Sequence, residues 1–188
     1  MGYKNIVIGV IIAIFIGLAS WTTLLSLRTP STNTIPTNEL PDAFMEGVNA
    51  LILDKQGKPS MKITAPKLTH FPQDDSTLLT TPHLTLYRKS PEPWYITSHY
   101  AKAYRGLEYV DFWEEVEIHH AAYEDSPATH IKTTTLRVRP EEKVADTNDL
   151  ITMTQPNIVV KAEGMHADLN TGDIKLLSKA RGEYVPDK

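Results

Sequence analysis

The 188-residue chain contains no cysteine. That absence excludes a disulfide framework, thiol catalysis and a lipidated-cysteine anchor, so any exported domain must be held by burial and hydrogen bonding alone. A surplus of positive charge is also missing. Beyond Arg28 stand all 23 acidic residues and only 17 of the 19 Lys and Arg, leaving that part at −6. Without a basic footprint, a phosphate backbone or an anionic membrane surface is not the expected partner. No Gly-x-Ser-x-Gly, His-Glu-x-x-His or phosphate-binding loop occurs, which removes the commonest hydrolase, metalloprotease and nucleotide-binding signatures. Periodicity of the long amphipathic-helix type is absent after the first 30 residues or so. Finally, charge itself is missing from one stretch, the 22 residues from Ile6 to Leu27.

At helical rise that run is about 33 Å long, enough for a hydrocarbon core of about 30 Å. A cleaved signal peptide would carry a shorter apolar region ending in small residues. Here Ala19-Ser20 is followed at once by Trp21, and Leu24-Leu25-Ser26-Leu27 stays apolar where a cleavage region turns polar. The expectation is an uncleaved single-pass anchor. Lys4 with the amino terminus on one side and Arg28 on the other nearly balance under the positive-inside rule. Orientation, N-terminus cytoplasmic, therefore rests on the size of the C-terminal part and the lack of a second span. Thr29 to Pro41 holds three prolines among small polar residues and reads as an extended linker. The expected domains are 1–28 for the cytoplasmic N-terminus and anchor, 29–43 for the linker, and 44–188 for one folded unit.

From Val48 onward the chain shows strand signals in period two, broken by Gly, Pro, Asp and Asn. Val48 to Leu53, then Asp54-Lys-Gln-Gly57, then Met61 to Ala65 reads as a hairpin in which Gly57 takes a positive φ. Four segments share the pattern apolar, any, small, two spacers, apolar. They are Ile63-Thr-Ala65 with Leu68, Ile96-Thr-Ser98 with Ala101, Ile131-Lys-Thr133 with Leu136, and Val160-Lys-Ala162 with Met165, recurring at about 29 to 35 residues. Second strands follow at Leu84 to Leu86, Val116 to Ile118 and Leu150 to Met153. Stacked strand-pair repeats would give two facing sheets and unpaired edges at both ends. A generic β-sandwich with regular strand spacing accounts for the same periodicity.

The seven histidines raise the question of metal. His119 and His120 are adjacent, so on a strand they face opposite ways, while Glu117 and His119 share a face without a visible third ligand. No metal and no cofactor is expected. Gly57 and Gly164 read as turn or close-approach positions, and Trp94 beside Pro93 as a strand start locked in the core.

An apolar N-terminal span, a Pro/Thr/Asn linker and an all-β repeat, in that order, resemble the LptC family of lipopolysaccharide transport. The resemblance extends to local motifs: Ala50 to Gly57 leading into Met61 to Ala65, Pro93-Trp94-Tyr95-Ile96-Thr97-Ser98 with Ala101, and Asp146 to Leu150 with Ile158 to Asp168. One departure is Glu115, where the family more usually carries glycine, so a shifted bulge is expected there. The resemblance implies an open, twisted β-jellyroll of two facing antiparallel sheets and no enzymatic activity. It implies an apolar groove that takes lipopolysaccharide from the LptB, LptF and LptG transporter of the inner membrane and passes it to LptA through the C-terminal edge. A membrane-tethered scaffold that pairs strands without binding lipid is the alternative. Alternation selects Val48, Ala50, Ile52, Ile63, Leu79, Leu84, Leu86, Ile96, Phe112, Val138, Ile174 and Tyr184 as groove-facing residues, Tyr184 foremost because an aromatic body with a polar tip suits an open end.

Overall fold

The computed structural model describes residues 40–88, 92–124 and 126–184. The run at 6–27 and most of the linker lie outside the described residues. Eleven strands follow one another: β1 (Ala43–Leu53), β2 (Pro59–Phe71), β3 (Ser76–Thr80), β4 (His83–Leu86), β5 (Trp94–Thr97), β6 (Tyr100–Tyr104), β7 (Tyr109–His120), β8 (Thr129–Arg139), β9 (Val144–Gln155), β10 (Ile158–Asp168) and β11 (Ile174–Tyr184). Among the described residues there is no helix, and so none long and apolar enough to cross a membrane.

Every strand pairing is antiparallel. The short strands show how the sheet is built. β2 gives its first half to β4 and its second half to β3. β7 likewise gives its first half to β6 and its second half to β5. The sheet is thus continuous but folded along a corner, with the long strands running through both halves.

The corner can be followed strand by strand. It crosses β1 at Gly47 (φ 63°), the β3–β4 break at Thr81 (φ 43°), β7 at Glu114 and Glu115 (φ 61° and 56°), β10 at Gly164 (φ 80°) and β11 at Lys179 (φ 50°). Thr81 N–H donates to His99 O at 2.7 Å and His99 N–H to Glu114 O at 2.9 Å, carrying the ladder across the bend. Further along, Thr134 and Thr135 hydroxyls both donate to one Asp149 carboxylate oxygen, at 2.5 and 2.6 Å, and hold that carboxyl below its usual range. The bulge expected at Glu115 is therefore a double one, since the register shifts between Trp113 and Val116 and both glutamates take the left-handed conformation that glycine tolerates best.

The repeat read from the sequence marks this corner. Its small residue sits at the bend and faces inward: Ala65, Ser98, Thr133 and Ala162 are all buried. The next inward position comes three residues later, an odd step that period-two alternation forbids unless the strand bulges. Ala101, Leu136 and Met165 are buried there. Thr133 carries a cost, because its buried hydroxyl has no partner among the described residues.

The first hairpin closes as expected. Asp54 Oδ1 accepts from the N–H groups of Gln56 and Lys58 at 2.8 and 2.9 Å, and Gly57 at φ 77° donates to Asp54 O at 3.0 Å.

Candidate functional site

Residues directly opposite one another on paired strands share a face, so the register defines cross-strand rows on the inner surface. One row runs Ala50, Ile63, Leu84, Ile96, Ile118, Ile131, Met153, Val160, Gly182. Across the corner another runs Met45, Leu68, Leu79, Ala101, Phe112, Leu136. A third, farthest from the corner in its half, joins Ile52, Met61, Leu86, Trp94, His120 and Thr129, and Gln155, Ile158 and Tyr184 continue it. The first two rows are apolar almost throughout, the third adds His120, Thr129 and Gln155, and the buried apolar members form one cluster.

All twelve residues selected from the sequence lie on this inner face by alternation and register, but they fall into two groups. Leu79, Leu84, Leu86, Ile96, Phe112 and Val138 are sealed, none more than 3% exposed. Val48, Ile52, Ile63 and Ile174 are half-buried and packed against the core. Ala50 is exposed, and Tyr184 stands 71% exposed at the last described position. The accessible residues belong to β1, β2 and β11, the two ends of the sheet.

At these ends the backbone is also open. Among the described residues β1 pairs only with β2, and β11 only with β10. Phe44, Met45, Leu51 and Leu53 are exposed on the first edge strand, Leu177 and Tyr184 on the last. Gly164 matters to the last edge. It is buried at φ 80°, and a Cβ built there would stand 2.8 Å from Leu177 Cδ1 and 3.1 Å from Leu177 Cβ. Glycine thus admits both the bend of β10 and the close approach of β11.

The outer face is polar and internally paired. Arg137 holds Asp111 in a two-pronged contact at 2.6 and 2.7 Å, which raises the guanidinium pKa, and its head lies 4.5 Å from the Tyr109 ring centre. Lys132 Nζ lies 2.7 Å from Glu117, holding that carboxyl low, and His130 lies 3.4 Å from it. Adjacent histidines do face opposite ways: His119 is exposed beside Tyr95, while His120 is buried against Trp94 with ring centres 4.6 Å apart. No group of three or more potential ligands that could hold a metal occurs among the described residues.

Reading the sequence weighed His120 only as a metal ligand and passed over Arg88 and Gln155; all three line the inner face near its outer lip. No signal marked them as inner-face residues. Arg88 lies just past a strand end, and the other two occupy alternating positions that apolar residues fill elsewhere.

Among solved structures, the fold is similar to LptH from Pseudomonas aeruginosa, described as the LptA homologous periplasmic component of the conserved lipopolysaccharide transport device. The match has a TM-score of 0.53 at 9% identity, covering 67% of this chain and 95% of that one. At that identity the likeness concerns the fold. No curated protein is matched by the chain. A family description, lipopolysaccharide-assembly, LptC-related, matches residues 9–185, nearly the whole sequence and every strand described above. The chain belongs to the LptC-related family and has a role in lipopolysaccharide transport.

Proposed function

We propose that the protein is anchored in the inner membrane through residues 6–27. Its β domain receives lipopolysaccharide from the LptB, LptF and LptG transporter, holds the acyl chains against the inner face, and passes them to LptA across the β11 edge. The observation that carries this reading is the set of apolar rows that run from one unpaired edge strand to the other. Acyl chains cost about 0.8 kcal/mol per CH₂ in water, so an inner face that continues into a partner's strand offers them a path without full solvation. Unpaired N–H and C=O groups on β1 and β11 suit strand addition by partners at both ends. The role is one of carrying, with no chemical step.

Exposure refines which residues would meet lipid first. Val48, Ala50, Ile52, Ile63, Ile174 and Tyr184 are reachable in the described conformation, whereas the six sealed residues would meet it only if the halves spread. Photo-crosslinking residues placed singly at Val48, Tyr184 and Leu79 of the full chain in cells test this. Lipopolysaccharide adducts are expected at Val48 and Tyr184, and weaker ones at Leu79. Partner adducts without lipid adducts at any of the three would overturn the reading in favour of a strand-pairing scaffold.

A further inference from the structure

Beside the row farthest from the corner, the lip row, stands one group that the apolar rows do not explain. Arg88 follows β4, where Tyr87 N–H still donates to Ser60 O at 3.0 Å. Its Nη1 donates to the carbonyl of its own neighbour Tyr87 at 2.9 Å, but its Nε is buried without a hydrogen-bond partner. Among the described residues Arg88 enters no salt bridge of 4 Å or less. Burial lowers its pKa, and only the more distant charge of Asp168 works the other way. Asp168 is itself engaged, accepting at Oδ1 from the N–H groups of Asn170 and Thr171 at 2.7 and 3.1 Å.

The setting is a cavity of about 490 Å³ between the lip row and the β10–β11 turn, lined by Arg88, Trp94, His120, Thr129, Gln155 and Ile174 among others. Two of its other polar side chains are paired within the protein: Gln155 Nε2 donates to Thr129 Oγ1 at 2.9 Å, and Thr129 Oγ1 donates to Pro127 O at 3.1 Å, while the His120 ring packs against Trp94. On the outer face, by contrast, the cleft beside Arg137 and Arg139 has both guanidiniums paired to Asp111 and Asp146. A buried N–H without a partner on a half-buried cation is costly for a fold to keep, and a planar guanidinium suits a phosphate or carboxylate with two oxygens.

We infer that Arg88, between the apolar inner face and the lip, seats the phosphate group of an amphiphile whose acyl chains lie against the rows running to Tyr184. This inference rests on the lipid-carrying reading above and assigns its polar head to one end of the inner face. The same chemistry is available from a free phosphate ion, so the test includes both sources.

The full-length chain in zwitterionic nanodiscs, with a photo-crosslinking residue at Tyr184, is titrated with lipopolysaccharide that keeps its lipid phosphates or has been stripped of them. Stripping should raise the half-saturating concentration about tenfold or more, the range expected for losing a charge-assisted pair. Arg88→Met should weaken the phosphorylated form by a similar factor and abolish discrimination between the two, and Arg88→Lys should restore part of it. Competition by inorganic phosphate would show that the seat takes the free ion, and lack of competition that it takes phosphate only when borne by lipid. Either result upholds the seat if discrimination is lost in Arg88→Met. Equal binding of both forms by the unmodified chain overturns the phosphate seat and leaves the apolar groove standing, a comparison that needs no variant to fold. Failure of both forms to crosslink overturns the groove and the seat together.

Discussion

The middle of the sheet and its two ends use the same strand chemistry to different effect. In β8 every second residue toward the interior is buried through most of the strand, from Thr129, Ile131 and Thr133 to Leu136 and Val138, whereas β11 has no buried residue at all. The difference lies in what faces each strand. Middle strands are covered by the opposite half of the folded sheet, while end strands have a neighbour on one side only. Burial in the middle stabilises the fold; apolar exposure at the ends does not. Phe44 at 70% exposed and Tyr184 at 71% sit on long edge strands of 11 residues each, positions that proteins usually protect against pairing. The middle thus holds shape, and the ends keep apolar surface and strand edges exposed, where the proposed binding would take place.

The sharpest way to break that comparison is a matched truncation on the same face. Leu84→Ala in the sealed middle, where Leu84 is 2% exposed, should cost about 2–5 kcal/mol, the range for buried leucine. Tyr184→Ala should change stability by less than about 0.5 kcal/mol, as expected for an exposed site. Urea unfolding midpoints compare the two, with lipopolysaccharide crosslinking from Val48 as the second measurement. A large stability loss from Tyr184→Ala would mean that the C-terminal edge is part of the core after all.

Gly164 stands where the middle meets the last edge. Gly164→Ala must hold an alanine at positive φ and push back Leu177, costing about 2 kcal/mol or more from the left-handed backbone and the contact together. For a domain of this size that corresponds to a melting temperature lower by about 4–8 °C. Because the displaced element is β11, association with LptA should fall more than the melting temperature suggests. Gly47→Ala on the first edge offers the control: its φ is 63° but nothing lies within 4 Å of the added Cβ. It should cost only the backbone term, about 1–2 kcal/mol. Equal effects of the two substitutions on LptA binding would show that β11 is not the joint.

Much of this arrangement was legible in the sequence, for reasons that can be named. Strand alternation carried the inner face, because a residue's side of a sheet is set by parity alone, and all twelve selected positions share it. The hairpin at Gly57 followed from local turn chemistry. The repeat signalled stacked units, yet its physical meaning was hidden: an apolar-x-small motif followed by a three-residue step records a bend, and only the pairing of β2 with both β3 and β4 reveals that the sheet folds there. Alternation also could not separate sealed Leu86 from exposed Ala50, since burial depends on which strands lie opposite. Arg88 escaped because its setting is assembled from the ends of β4, β5, β7, β8 and β9 and the β10–β11 turn, segments far apart in the chain. The sealed middle, not the rows themselves, is what a purely sequential reading of groove residues lacked.

The smallest expected effect concerns how the first edge is pinned. His70 on β2 holds Asp42, just before β1, through Nδ1 at 2.6 Å, with Asp75 at 3.5 Å from Nε2. The hydrogen bond to Asp42 is the main cause that raises the His70 pKa above its ordinary value, with burial opposing it. A raised histidine pKa means that the protonated form is favoured on folding, so its stabilising effect is complete below the unfolded value of about 6.5 and is lost as pH rises through the higher folded value. The site is open to solvent, so global stability should scarcely respond. Local fraying should: Asp42 N–H donates to His70 O at 3.2 Å, and the amides of Ala43 to Glu46 should exchange faster above that folded value than below it, after correction for intrinsic exchange. His70→Gln should remove the pH dependence, while protection at Ile158 to Val160 beside the other edge stays unchanged in both proteins. A pH response at both edges would break the assignment to His70 and point to a change shared by the whole sheet.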